Sequence, residues 1–267
     1  MNTLAIVGIM GFLALALARG GAGSSGGGSM SGKGLFVRST GHAGSPSTLV
    51  SDCQAMGIRW VMLPVIWQYE DKASKRYDGQ IKAYADALKA AGIRVWVWGW
   101  GVPDKWQDFA DTMKEAQDKI RAVGIVANLE KPWFGRPQEA QLLAQALSGR
   151  TWGLSSYGGG PKNIPSFPWQ QLNSATYGMP QIYDTQHTLG PDYPARSVST
   201  WRDAGYTRIA PTLGASSAHS KAQMIDIADR TVAVGGIGAL SWWDYYHLKQ
   251  SASRRSAVAE IQIGAQA

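Results

Sequence analysis

Gly124-Ile125-Val126-Ala127-Asn128-Leu129-Glu130 is a short apolar run that ends in a carboxylate. Its apolar part, residues 124–127, has the length and flanking residues that are typical of a buried strand. Glu130 follows where this strand ends, and aromatic residues come soon after it. Parallel barrels carry their catalytic groups at the carboxyl ends of strands. Glu130 is therefore predicted to be a general acid, and the alternative is a solvated loop carboxylate.

The same order of strand and helix repeats along the chain. Apolar runs predict strands over 34–38, 59–64, 94–98, 124–129, 151–155, 176–182, 208–212 and 237–242. Helical patterns that open with Pro, Ser or Asp predict helices over 46–56, 79–91, 104–123, 137–147, 194–204 and 220–234. Eight strands in such alternation predict a single α/β domain, a (β/α)8 TIM barrel. A doubly wound open sheet is the alternative, but no GxGxxG motif follows the first strand.

The N-terminus differs from the rest of the chain. Residues 4–18 are almost continuously apolar, and residues 20–34 are almost all Gly and Ser. About 15 apolar residues is short for a bilayer span of roughly 20, which favours a cleaved signal peptide. No basic residue precedes the run, which favours an uncleaved anchor on a flexible tether. We divide the chain into a signal peptide or membrane anchor (1–19), a Gly/Ser linker (20–33) and the barrel (34–267). This predicts an exported or membrane-anchored protein of the periplasm, the cell surface or a virion.

The composition argues against several other classes of function. The net charge is +7, but the basic residues are scattered and do not form a nucleic-acid patch. Such a charge favours anionic surroundings, for example cell-wall polymers. Cys53 is the only cysteine, and the four histidines show no paired ligand spacing. No metal site, no other cofactor and no nucleic-acid partner is therefore expected.

The carboxyl ends of the predicted strands are rich in tryptophan and tyrosine. Aromatic rings stack on the apolar faces of sugars, and polar groups beside them bind the hydroxyls, so such a cleft suits carbohydrate. The predicted substrate-binding residues are Trp67, Trp98, Trp100, Trp133, Tyr157, Trp243 and Asp244. The alternative for the tryptophans is core packing, because side chains alternate between the two sides of a strand.

These residues resemble those of the (β/α)8 glycoside hydrolases, over roughly residues 34–248. The pattern is most similar to the branch that acts on N-acetylated sugars, namely family 18 chitinases, family 25 lysozymes and family 85 endo-N-acetylglucosaminidases. It also looks like phage-encoded wall-degrading barrels. The resemblance rests on Glu130 after strand four, on Met179-Pro180-Gln181-Ile182-Tyr183-Asp184 and on the tryptophan-rich strand 237–242. Families 18 and 25 have Asp where this chain has Asn128, whereas Asn-x-Glu is similar to the family 85 pair.

The resemblance implies a role for each site residue. Glu130 would protonate the leaving oxygen, while Asn128 and Tyr183 would hold a 2-acetamido group that acts as internal nucleophile. Asp184 would orient that group or serve as a second carboxylate. The implied activity is hydrolysis of an N-acetylated, peptidoglycan-type polysaccharide, or of a chitin-like one, with the membrane as a further partner if the leader stays uncleaved. The alternative is a non-catalytic glycan-binding or virion/cell-surface structural module on a degenerate barrel.

Overall fold

Eight parallel strands close into a barrel in the computed structural model, which describes residues 29–77, 79–183 and 189–263. The strands are β1 Gly32–Phe36, β2 Ile58–Trp67, β3 Arg94–Trp100, β4 Ile125–Asn128, β5 Trp152–Tyr157, β6 Tyr177–Ile182, β7 Thr212–Gly214 and β8 Ala239–Trp243. Each strand pairs in parallel with the next, and β1 pairs with both β2 and β8, which closes the sheet. A two-residue strand, Lys75–Arg76, adds antiparallel to the end of β2. The predicted (β/α)8 barrel is confirmed.

Helices surround the barrel. They are α1 Pro46–Met56, α2 Ile81–Ala90, α3 Trp106–Ile120, α4 Pro137–Ala146, α5 Trp169–Leu172, α6 Tyr193–Asp203, α7 Lys221–Ala233 and α8 Ala252–Glu260. Short helices in the loops are Thr40–Ala43, Gly160–Asn163 and Tyr245–Lys249, with 3-10 turns at Pro103–Lys105 and Lys131–Trp133. None of the described helices has the length and apolar character needed to cross a membrane. The predicted leader and most of the predicted linker, residues 1–28, lie outside the described residues.

Most predicted elements match the structure within three residues at each end, and the seventh strand is the main exception. It was expected at 208–212, but the regular ladder covers Thr212–Gly214. Ile209 forms only an isolated bridge, to Gly178. Pro211 lies between them and has no N–H to donate, so the ladder is interrupted there. The first strand begins at Gly32, two residues before the predicted start. Helix α8 was not predicted, and only two of its residues are buried.

Large side chains in the barrel interior pack against positions that carry small ones. Strands β2 and β3 contribute three buried indoles, Trp60, Trp96 and Trp98, to the inner core. The neighbouring strand β1 contributes Gly34, where a Cβ atom would lie only 2.3 Å from the Trp60 ring. Because interiors are closely packed, the indole fits only where its neighbour lacks a side chain. The barrel is thus a filled core, and its chemistry is confined to its ends.

Candidate active site

Strand β4 positions Glu130 at the carboxyl end of the barrel. Val126 packs in the inner core, while Ile125 and Ala127 pack on the outer side against the helices. Side chains two residues apart on a strand share a side, so Asn128 and Glu130 follow Val126 on the inward side. Asn128 is 5% exposed, and Glu130 is partly exposed. The carboxylate therefore lies at the mouth of the barrel.

Two side-chain amides hold one oxygen of this carboxylate. Glu130 Oε1 accepts hydrogen bonds from Asn128 Nδ2 and from Gln181 Nε2, both at 3.2 Å. The Gln181 amide also donates to Asn128 Oδ1 at 2.8 Å and to Ser155 Oγ at 3.3 Å. Within the described part of the chain, Glu130 Oε2 has no hydrogen bond. The network thus holds the carboxyl through Oε1 alone.

Asn128 contacts the carboxylate rather than open space. The resemblance implied that its amide holds a substrate group, but both polar atoms of this amide are engaged by Glu130 and Gln181. Because the side chain is also buried, the arrangement makes Asn128 a positioning residue for Glu130. Gln181 was not predicted as a site residue. Its signal was its position two residues after Met179, which packs in the inner core and shares its side of β6.

Two tyrosines flank the carboxylate. Burial, followed by the negative charge of Glu130, raises the pKa of Tyr157, whose hydroxyl accepts a hydrogen bond from Lys131 N at 2.9 Å. Burial, followed by the charges of Glu130 and Asp244, raises the pKa of Tyr183 well above its usual value. Both hydroxyls therefore stay protonated at neutral pH and can donate. Asp184, the predicted partner of Tyr183, lies outside the described residues.

An aromatic group forms one wall of the barrel mouth. The rings of Trp67 and Trp100 stack, with centroids 5.6 Å apart and an angle of 17° between them. Trp98 meets Trp67 and Trp243 edge to face, at 6.0 and 5.2 Å. Trp67, Trp100 and Trp243 are partly exposed. Trp98 is buried and donates from Nε1 to Val37 O, so it supports the wall from below and does not offer a face to a sugar.

Trp133 does not belong to the cleft. The 3-10 turn Lys131–Trp133 directs its ring into the outer core, where it is fully buried. Its indole Nε1 donates to Gly101 O at 2.7 Å. The prediction of Trp133 as a substrate-binding residue is therefore wrong. The reason is that the chain turns outward directly after Glu130, so an aromatic residue only three positions later packs under the helices.

Asp244 is likewise engaged inside the protein. Its carboxylate is fully buried, and Oδ2 accepts from Arg38 Nε at 2.5 Å. Its other oxygen, Oδ1, caps the helix Tyr245–Lys249 by accepting from His247 N at 3.3 Å. The Arg38 guanidinium also lies 5.5 Å from the centre of the Trp243 ring. Asp244 therefore holds the loop after β8 in place, and the predicted bond to sugar hydroxyls is wrong. Arg38, its partner, was missed by the sequence analysis.

The histidine beside this ion pair is held neutral. His247 Nε2 lies 3.4 Å from Arg38 Nη2. Burial and the positive charges of Arg38 and Arg254 lower the pKa of His247, against the opposing effect of Asp244. No group of three or more potential metal ligands occurs among the residues that the structure describes. Among the described residues, the functional groups gathered around Glu130 are thus its own carboxyl, the amides of Asn128 and Gln181, and two tyrosine hydroxyls.

Comparisons with other proteins agree on the architecture. No protein-family model matches the sequence, and no curated protein is detectably similar to it. Among solved structures, a chitinase from Bacteroides thetaiotaomicron superimposes with a TM-score of 0.65 at 6% identity, over 86% of this chain and 96% of that one. The spore cortex-lytic enzyme SleL of Bacillus cereus gives 0.64 at 9% identity, over 88% and 75%. A GH113 β-1,4-mannanase gives 0.61 at 8%, over 85% and 96%.

Identities this low establish a shared fold and leave the activity to be argued from the site. The comparisons and the closed strand order together support the barrel fold that the resemblance implied. This chain shares its (β/α)8 barrel fold with that chitinase, with SleL and with the GH113 mannanase.

Proposed function

We propose that the barrel is a glycoside hydrolase that cuts N-acetylated cell-wall polysaccharide, with Glu130 as its general acid. The observation that carries the proposal is the state of this carboxyl: Oε1 is held by the amides of Asn128 and Gln181, and Oε2 is unengaged among the described residues. It lies at the barrel end where such folds bind substrate, beside a wall of partly exposed indoles.

In the first step, the proton on Glu130 Oε2 passes to the glycosidic oxygen as the bond from that oxygen to the anomeric carbon breaks. The amides that donate to Oε1 stabilise the carboxylate that results. The oxygen of the substrate's own 2-acetamido group forms the new bond to the anomeric carbon, and the Tyr183 hydroxyl orients that group. Asp184 is the candidate for a second carboxylate in a direct scheme. Water then releases the sugar, with Glu130 taking back a proton.

Three features support a wall polysaccharide as the substrate. The predicted leader delivers the domain to or across a membrane, and the net charge of +7 favours anionic polymers. Two proteins with similar structures are named a chitinase and a spore cortex-lytic enzyme. Exposed rings of Trp67, Trp100 and Trp243 would line the subsites.

The test is digestion of purified peptidoglycan and of chitin oligomers, with new reducing ends identified by mass spectrometry. Glu130→Gln should lose turnover by at least about 100-fold, since general acid catalysis contributes roughly 10²–10⁴-fold. It should still bind the glycan in a pull-down. Glu115→Gln, an exposed change on α3, is the matched control and should match wild type. Equal product from Glu130→Gln and wild type would remove Glu130 from the mechanism.

A non-catalytic glycan-binding module is the second candidate. It is favoured by Asp244, the other carboxylate whose charge acts on Tyr183, because this group is buried and paired with Arg38 and so cannot serve as a second catalytic carboxylate beside Glu130. This candidate predicts that wild type binds the polymer and releases no new reducing ends. The same digest therefore separates the two functions.

A further inference from the structure

A cavity of about 780 Å³ lies at the opposite end of the barrel from Glu130, where the strands begin. Gly32 at the start of β1, Arg94 at the start of β3 and Ala239 at the start of β8 all line it. The volume lies within the range of about 300–1,000 Å³ that ligand pockets occupy. The described chain also starts here, because Ser29 is a lining residue.

The charged side chains that line this cavity are all basic among the described residues. Its lining includes Arg59, Arg94 and Arg208 and, among the described residues, no acidic side chain. Lys33 lies close by and donates from Nζ to the carbonyls of Val258 and Ala259, at 2.8 and 3.0 Å. Burial, followed by the charge of Arg59, lowers the pKa of Lys33. Unbalanced positive charge around a concave surface attracts anions.

The three arginines are used differently. Arg94 is structural, because Nη1 donates to Ser29 O at 2.6 Å and Nη2 donates to Ser31 O at 2.9 Å. Arg59 and Arg208 are exposed, and their guanidinium groups make no hydrogen bond or ion pair within the described ranges. The Arg208 guanidinium lies 5.9 Å from the centre of the buried Tyr177 ring, which limits its movement. Two guanidinium groups thus remain available to a ligand at the cavity wall.

We propose that this cavity binds a phosphate group, held by Arg59 and Arg208 and attracted further by the fixed charge of Arg94. A guanidinium presents its N–H donors in a planar fork that matches the oxygens of a phosphate. The space exceeds what one phosphate ion fills, so the ligand is a phosphate ester with a small organic group attached. The site is independent of the reaction at Glu130.

Two sources of this chemistry suit the position. One is a free phosphate ester, and the other is the headgroup of an anionic phospholipid. The chain reaches the cavity at Ser29, after the apolar segment and Gly/Ser linker of residues 1–28. If the apolar segment remains in a bilayer, this end of the barrel is tethered beside the headgroups. Basic residues near a membrane surface strengthen binding to anionic lipid.

The first arm of the experiment measures glycerol 3-phosphate binding to the full chain by calorimetry at constant ionic strength. Arg59→Gln/Arg208→Gln should weaken binding at least tenfold. Lys119→Gln/Lys162→Gln removes the same charge from exposed positions outside the cavity and should bind like wild type. Circular dichroism checks that each variant is folded.

The second arm compares binding of the full chain to phosphatidylglycerol and to phosphatidylcholine vesicles. The ratio of the two affinities isolates the effect of the headgroup, because the apolar segment contacts both kinds of vesicle. A preference for phosphatidylglycerol that falls in the arginine variant and not in the lysine variant assigns the phosphate to lipid. Glycerol phosphate binding without that preference assigns it to a free ester. The proposal is overturned if the arginine variant binds glycerol 3-phosphate as tightly as wild type or the lysine variant does and also shows the same preference for phosphatidylglycerol.

Discussion

Replacing Arg38 with methionine should destabilise the protein by leaving a buried carboxylate unpaired. Asp244 is fully buried, and Arg38 provides its only side-chain hydrogen bond among the described residues. Its remaining contact is the cap to His247 N. Methionine keeps the aliphatic part of the arginine side chain and removes the charge. The free energy of unfolding therefore reports mainly the loss of the partner.

The expected size follows from the burial of the two groups. Removing one partner of a buried ion pair lowers the free energy of unfolding by about 3–5 kcal/mol. The Arg38 side chain is 36% exposed, so water replaces part of the interaction and about 2–3 kcal/mol is expected. For a chain of this size that corresponds to a fall of about 4–12 °C in Tm. Arg76→Met is the matched control, because the pair Arg76–Asp108 has the same 2.5 Å separation but side chains 44% and 46% exposed. It should cost less than about 1 kcal/mol.

Urea unfolding followed by circular dichroism at pH 7 measures these values. The double variant Arg38→Met/Asp244→Asn should regain at least half of the loss, because it no longer buries an unpaired charge. Arg38→Met and Arg76→Met with equal unfolding free energies would refute the reasoning. So would a double variant that is less stable than Arg38→Met alone.

Two further changes test the carboxylate network and a buried phenol. Gln181→Leu should lower kcat by about 10–100-fold with little change in KM, because Glu130 loses a hydrogen bond worth roughly 1.5–3 kcal/mol; steady-state kinetics on the cleaved glycan measure this, and an unchanged kcat would contradict it. Tyr206 is buried, its hydroxyl has no partner among the described residues, and burial raises its pKa. The buried neutral phenol contributes to the free energy of unfolding, and this contribution is fully present below about pH 10, the pKa of tyrosine in the unfolded chain. It is lost as the pH rises above that value, at about 1.4 kcal/mol per pH unit. Urea unfolding at pH 8 and 10.5 should therefore show a smaller decline for Tyr206→Phe than for wild type, and equal declines would contradict this.

Local patterns were sufficient for most of the fold because strands and helices of a barrel repeat at regular intervals. Pro46 and Gly57 bound α1 in sequence as they do in structure, since proline favours a helix start and glycine adopts the left-handed end. Pro211 shows where a local pattern fails. Its apolar neighbours look like strand, but the missing N–H shifts the ladder toward Thr212.

The site was only partly predictable because a side chain's direction depends on turns that the sequence does not specify. The position of Glu130 at the barrel mouth could be predicted from its place after a strand, because strand alternation continues through it. Trp133 lies in a turn that reverses direction, so proximity in sequence was misleading. Asp244 is polar and adjacent to a rim tryptophan, but its partner Arg38 is 206 positions away. Gln181 could have been predicted because it lies two residues after Met179 and therefore on the same side of the strand. This signal is the geometry of the strand and not the composition of the sequence.

The close fit between indoles and glycines has a consequence for the evolution of this barrel. Gly34 faces Trp60, and a Cβ at position 34 would lie only 2.3 Å from the ring. A lineage that acquires a side chain at this glycine must first lose bulk at position 60, because the intermediate is overpacked. The two positions should therefore covary among descendants of a common ancestor. That covariation would be visible in an alignment even where the surface and the catalytic groups have diverged.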